Sequence, residues 1–422
     1  MQFVVLKPQK ARTSAHRGPS SMAAGSAPRR FSATKEVTPD AVAEAGQSSE
    51  YGFIAMPVGL ITPYEARAET DSQRRAALLE EEKKAGRTWG IRSLFPENDK
   101  LCPYDGKGIR VAILDTGIDK NHAAFRDKNL KMQCRNFLDD GKPEDDVTDE
   151  NGHGTHTAAT VFGRTVDGIH IGVAPGVRDV LIGKVLGEGA STLTVLRGIE
   201  WASDRGAHVI LMSLGFDIVG MREEFASYGI DGNFMTPEEA TWRALSEMVK
   251  NVRVFDSLSE YVGFREGRAP VVIAASGNSS DRESETPSII GTSFPAAAKG
   301  FFSVSAVRRP DKKSQQFPVT SFANSGALLA GPGQDILSAA FGNDTAGERL
   351  TYLDGTSMAA PHVAGIAALW AQKLLESGPQ QLNDRIGVKL KEKSHPVAKS
   401  KKSSTVDYDV LYGIPRAPLT TD

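Results

Sequence analysis

Gly355-Thr356-Ser357-Met358-Ala359-Ala360-Pro361-His362-Val363-Ala364-Gly365 decides how this chain of 422 residues is read. With Ala367 and Ala368 it forms a small-residue run, which spells a helix slim enough to pass through the middle of a domain. Pro361 fits a helix best in its first turn, where a missing N–H costs nothing. Ser357 then stands at a helix N-terminus, where unpaired amides and the positive end of the dipole favour developing negative charge. A Ser at such a position is also a common plain cap, so the reading turns on whether a base and a carboxylate exist elsewhere.

Outward from that stretch, short apolar runs alternate with helical patterns. Ile109–Leu114, Val180–Gly183, Val209–Met212 and Val271–Ala275 are, apart from Arg110, without polar residues on either face. Such runs suit buried parallel strands crossed by helices. The expected fold class is α/β, a doubly wound mostly parallel sheet with helices on both faces, from about Trp89 onward. A largely irregular N-terminal extension precedes it. Residues 7–49 are rich in Ala, Ser, Pro and charge, and Ala66–Ala85 reads as a charged helix stopped by Gly86. Phe216–Arg268 is a long polar interval with one marked helix start, Thr236-Pro237-Glu238-Glu239. Ala240, Leu245, Met248, Val249 and Val252 are expected on the buried side of that helix. Lys391–Ser404 reads as a basic, solvated loop.

Acidic and basic residues number 52 and 50, for a net charge of -2, which gives no reason to expect nucleic acid or a membrane surface as partner. No apolar run approaches the roughly 18–20 residues that span a bilayer. Arg29-Arg30-Phe31 resembles a twin-arginine start, but Ser32-Ala33-Thr34-Lys35-Glu36 follows where an apolar segment belongs. No export signal is recognised, so a cytoplasmic location is favoured, with non-standard secretion left open. The two cysteines, Cys102 and Cys134, make no disulfide framework and are expected as reduced thiols, one bridge between them remaining open.

Three further segments complete a constellation. The first strand ends in Asp115-Thr116-Gly117, and ligands of open α/β sheets bind beyond the carboxyl ends of strands. Asn151-Gly152-His153-Gly154-Thr155-His156 enters a second small-residue helix. His153 and His156 stand i,i+3, but no Glu or Cys lies at a matching offset, which argues against zinc. Val271–Ala275 runs through Ser276-Gly277 into Asn278, whose amide can donate to an oxyanion.

In the order Asp, His, Asn, Ser, these segments resemble the subtilisin-like serine peptidases, or subtilases, over roughly the last three quarters of the chain. An α/β-hydrolase would instead run Ser, Asp, His. The resemblance implies a serine endopeptidase in which Ser357 attacks, His153 acts as base and Asp115 orients it. Asn278 and the Ser357 N–H would bind the oxyanion. It also implies that Ser213-Leu214-Gly215 offers a strand edge to the substrate, and that Gly189 and Ala190, within Gly187–Ser191, belong to the opposite edge. Domain limits follow: residues 1–50 a tail without regular structure, 51–88 a candidate pro or regulatory segment, and 89–422 the peptidase domain with 216–268 as an insertion.

The resemblance implies a strong calcium site as well, and here the pattern departs. Its carboxylate position is Ala124, and Arg164 lies in the loop that would complete it. No cofactor is expected for the chemistry; that calcium site is expected to be lost, and calcium elsewhere is left open. The expected partner is a protein or peptide substrate, not nucleic acid or membrane. Asp281, Glu283 and Glu285 follow Asn278 and read as a solvated loop more than as a basic-residue pocket. Phe3-Val4-Val5-Leu6 can open a degenerate inhibitory prodomain, and Leu60-Ile61-Thr62-Pro63-Tyr64 resembles an element with which intracellular subtilisins block their own cleft. The insertion leaves open a narrow-specificity processing enzyme. A catalytically silent binding protein on the same fold has less support.

Overall fold

Each of the four apolar runs becomes a strand, flanked on both faces. The computed structural model describes residues 3–9, 30–36, 54–55, 60–61, 72–95, 102–138, 141, 143–216, 218–228, 235–263, 269–310, 316–342, 349–398 and 409–422. The N-terminal extension contributes β1 (Phe3–Gln9), β2 (Arg30–Glu36), β3 (Ile54–Ala55), β4 (Leu60–Ile61) and α1 (Ser72–Ala85). Next come α2 (Trp89–Leu94), β5 (Arg110–Asp115), β6 (Lys131–Asn136) and α3 (His153–Phe162). The hairpin β7 (Thr165–Val166) and β8 (Ile169–His170) precedes β9 (Asp179–Lys184), α4 (Thr192–Asp204), β10 (Val209–Met212) and β11 (Gly215–Phe216). Two helices, α5 (Ile218–Tyr228) and α6 (Pro237–Gly263), lead to β12 (Val271–Ala275), β13 (Phe301–Val307), β14 (Ala327–Pro332), β15 (Ile336–Ala339) and β16 (Leu350–Leu353). Then follow α7 (Thr356–Leu375), α8 (Leu382–Glu392), β17 (Ser394–His395) and β18 (Val410–Pro415).

Nine strands form one sheet in the order β17-β18-β14-β13-β12-β10-β5-β9-β6, parallel throughout except for β17 against β18. From β5 the chain builds outward to β9 and β6, then returns to place β10 on the other side. The switch point therefore lies between β5 and β10, where their carboxyl ends open a crevice. Along β5, Val111 and Ile113 join the core under α3, α7 and α8, while Ala112 and Leu114 join the core under α4, α5 and α6. This period-2 division explains why the strands are apolar on both faces.

The helix of the opening stretch is α7, buried at every residue from Thr356 to Ala371. Pro361 stands in its second turn, not its first, because the helix begins at Thr356. Its missing N–H leaves the Ser357 carbonyl without the usual i→i−4 donor. Ser213 Oγ donates to that carbonyl instead, at 3.0 Å.

Several expectations change. Within the largely irregular N-terminal extension, β1 and β2 of the expected tail and β3 of the 51–88 segment form an antiparallel sheet of order β2-β1-β3, with β2 beside α4 and β3 beside α6. The rest of residues 1–71, apart from β4, lies outside the described residues. The charged helix begins at Ser72; its expected start at Ala66 also falls outside them. The fully buried Glu82 ties α1 to the domain by accepting from Trp89 N, Arg309 and Tyr352 Oη at 2.9, 2.9 and 3.0 Å.

The expected cap of α6 is present, with Glu239 N donating to Thr236 Oγ1 and Thr236 N to Glu239. Its buried face differs. Ala240, Ala244, Val254, Phe255 and Leu258 are buried, while Leu245 and Val249 are exposed at 53% and 49%. The start of the supposed basic loop after Lys391 continues α8 and forms β17. Cys102 and Cys134 are not joined in a disulfide.

Candidate active site

Asp115 is the last residue of β5 and is buried at 1% exposure. Its Oδ1 lies 2.7 Å from His153 Nδ1 and accepts from Thr116 N at 2.7 Å. Its Oδ2 accepts from Thr157 Oγ1 at 3.1 Å. A carboxylate only accepts, so this contact puts the imidazole proton on Nδ1 and leaves Nε2 as the basic nitrogen. His153 is the first residue of α3. The next residue must be Gly, because a methyl at Gly154 would collide with the Gly117 carbonyl oxygen. That backbone contact holds the His and Asp segments together.

Ser357 sits in the first turn of α7, which packs directly on α3. Ser357 Oγ and His153 Nε2 are both buried and have no hydrogen-bond partner. Asn278, beyond the end of β12, accepts from Thr356 N at 2.9 Å and from Thr356 Oγ1 at 2.8 Å through the same Oδ1. Those two bonds fix the side-chain flip and leave the amide Nδ2–H₂ uncommitted. That amide lies beside Gly355, where a Cβ would stand 3.2 Å from Nδ2 and where φ is +154°. The helix start, the amide and two orphaned buried polar atoms thus converge at the carboxyl ends of the central strands. The profile of the Subtilase family matches residues 106–401.

The chain belongs to the subtilase family.

It is a subtilisin-like serine endopeptidase, and its substrates are proteins or peptides. The chain is 34% identical over 283 residues to the major intracellular serine protease of Bacillus subtilis (strain 168), covering 66% of this chain and 73% of that protein. It is 30% identical over 303 residues to an intracellular serine protease of Paenibacillus polymyxa, covering 70% and 77%. Fervidolysin from Fervidobacterium pennivorans, a keratinolytic enzyme related to subtilisin, superposes with a TM-score of 0.56 at 22% identity. That match covers 90% of this chain and 54% of fervidolysin, and it speaks for the fold alone.

In this subtilase, Ser213 and Leu214 are buried beside the Ser357 backbone, and Gly215 opens β11. That edge is occupied: β11 pairs antiparallel with β4, Gly215 opposite Ile61 and Phe216 opposite Leu60. Gly189 and Ala190 lie in a turn closed by Ala190 N on Gly187 O at 3.1 Å, not in a strand. Asp281, Glu283 and Glu285 are exposed. His156 points away from His153, 3.1 Å from Ile336 O, and burial followed by the His153 charge pushes its pKa down to about 3. Among the described residues no group of three or more His, Cys, Asp or Glu is placed to hold a metal. None of their helices is long and apolar enough to cross a membrane. The cavity at the amino ends of β12 and β13, lined by Val271, Phe301 and Lys391, contains none of these site residues.

Three positioning residues escaped the sequence reading. Thr157, one turn after His153, adds a third donor to Asp115. Thr356 orients Asn278. Asp149 is fully buried and accepts from Thr116 Oγ1, Thr155 Oγ1 and the amides of Asn151, Gly152 and Thr155. Burial alone would raise its pKa, but these donors outweigh it and hold the carboxyl below its usual range. An Asp shortly before a Gly-His helix start was the available signal.

Proposed function

We propose that this subtilase cleaves peptide bonds with Ser357 as nucleophile, His153 as general base and Asp115 as the group that orients and stabilises the imidazole. Ser357 Oγ attacks the scissile carbonyl as its proton passes to His153 Nε2. The oxyanion accepts from Asn278 Nδ2 and from the free Ser357 N–H in the first turn of α7. His153 returns the proton to the leaving amine, and water then hydrolyses the acyl-enzyme. The observation that carries this reading is the pairing of His153 Nδ1 with Asp115 while Nε2 and Ser357 Oγ stay buried without partners. Ser357→Ala is expected to lower kcat by about 10⁴–10⁶-fold, a scale known for this family. Asn278→Ala should cost about 10²–10³-fold, the scale known for such an amide in this family. Burst and steady-state rates on a chromogenic peptide measure both; an unchanged rate for Ser357→Ala sinks the assignment.

A second element of the proposal is restraint by the N-terminal extension. Its support is the pairing of β4 with β11 along the substrate edge and the sheet β2-β1-β3 beside α4 and α6. Deleting residues 1–64 leaves α1 and its Glu82 anchor in place and should raise kcat/KM on a short peptide at least about tenfold, since an occupied cleft removes the competent fraction. Ile61→Pro, which weakens only the strand pairing, should give a smaller rise in the full chain. Equal activity in all three folded proteins removes autoinhibition. We place the enzyme inside the cell, on the support of the two relatives described as intracellular.

A further inference from the structure

Calcium, which the family resemblance implies for the loop after α3, does not fit the residues found there. Ala124 brings no carboxylate, and the loop that would complete the site carries the cationic Arg164. Its guanidinium Nη1 donates to Phe162 O at 2.8 Å and to Pro175 O. Its Nη2 donates to Asp127 Oδ2 at 2.9 Å and to Val177 O at 3.3 Å, and Nε reaches the same Oδ2 at 3.3 Å. The Arg164 backbone N–H adds a bond to Ala124 O at 2.9 Å. Backbone carbonyls and a carboxylate are the oxygen types that a hard divalent cation takes. Here a planar cation with five donors meets them all.

We infer that the Arg164 guanidinium is the built-in structural cation of this loop, replacing a bound calcium ion. The loop joins three parts of the domain. Phe162 ends α3, whose first residue is His153; Asp127 follows β5; Pro175 and Val177 lead into β9. The Asp127 carboxylate is held ionised chiefly by the Asn129 N–H, against burial, with Arg164 and Arg178 adding to it. Arg178 Nε lies 3.1 Å from the same oxygen, so two guanidinium charges face one carboxylate and the loop is net positive without metal. An ion added to the native loop would meet a resident positive charge and find no free oxygens. Removing the guanidinium uncovers a cage of Phe162, Pro175 and Val177 carbonyls beside the Asp127 carboxylate.

The test compares thermal midpoints of the full chain, carrying Ser357→Ala to prevent self-cleavage, in EDTA and in millimolar calcium. With Arg164 intact the calcium-induced shift should be near zero. Arg164→Ala should lose about 5 °C in EDTA, the order expected when a partly buried pair is broken in a domain of this size. Calcium should restore at least half of that loss, while magnesium, which demands a tighter geometry, should not. Arg164→Lys should fall between and respond little. If Arg164→Ala fails to fold, Arg164→Gln, which keeps donors but not charge, takes its place in the same comparison. A calcium shift in the parent as large as in the variant overturns the inference. So does a variant that keeps its midpoint in EDTA, or one whose loss calcium leaves untouched.

Discussion

The two longest helices among the described residues, α7 and α6, obey opposite rules. Every residue of α7 from Thr356 to Ala371 is buried, and half are Ala, Gly or Val with no charged residue among the rest, so composition alone says that it runs through the core. On α6 the buried stripe carries Glu247 and Asn251, both fully buried, while Trp242, Leu245 and Val249 face outward at 68%, 53% and 49% exposure. Lys250 and Arg243 approach the Glu247 carboxylate at 2.7 and 3.5 Å, and Asn251 Nδ2 donates to the Glu247 carbonyl. A helix surrounded by core needs only small size. One lying on a surface needs a face, and that face can be polar where its polar groups find partners.

The comparison breaks first if α7 tolerates added volume. A methyl at Gly365 would lie 2.5 Å from Val173 Cβ and 2.7 Å from Val173 Cγ1. Gly365→Ala is therefore expected to cost about 3 kcal/mol by overpacking, despite the helix propensity gained. Urea unfolding measures it, and a stabilised variant would show that α7 is less confined than its burial indicates.

Acid tests the same helix by another route. His362 on α7 is buried, with Nδ1 2.8 Å from the Met358 carbonyl, and burial pushes its pKa down to about 4. In the unfolded chain the ring titrates near its ordinary 6.5, so below that pH the unfolded state binds the extra proton. The contribution is complete above about pH 6.5 and is lost as pH falls toward 4, by about 3 kcal/mol in all. Unfolding free energy measured from pH 7 to pH 4 should fall less steeply in His362→Asn. His156 on α3, pushed down to about 3, acts in the same direction and remains in that variant.

What the sequence could and could not carry follows from this contrast. Asp115, His153, Asn278 and Ser357 stood out as candidates because each lies at or just beyond a strand end or in the first turn of a helix, within a short local pattern. Their positioning partners were not. Thr157, Thr356 and Asp149 contribute hydroxyl or carboxylate contacts that exist only once separate segments meet. Pro361 was placed one turn too early because the helix start is set by Gly355, and the carbonyl it frees is used by Ser213, a residue distant in sequence. Gly187–Ser191 was read as a strand edge but makes a turn, since Gly187 and Gly189 adopt φ of +150° and +75°. For α6, Ala240 is buried as expected, but Leu245 and Val249 face outward, because the polar Glu247 and Asn251 complete the buried stripe in their place.

Two substitutions on α6 sharpen that last point. Glu247→Ala removes a buried carboxylate from Lys250 and Arg243, both of which still reach solvent. Its cost is therefore limited to lost bonds and a cavity, about 2 kcal/mol in urea unfolding. The double substitution Leu245→Lys, Val249→Lys puts two charges on the face that a hydrophobic count would bury. In the observed orientation both side chains extend into water beside the exposed Trp242, so the change should stay within about 0.5 kcal/mol. A loss of several kcal/mol would mean that this face is covered in solution, and the contrast with α7 would then rest on surroundings that the isolated chain does not supply.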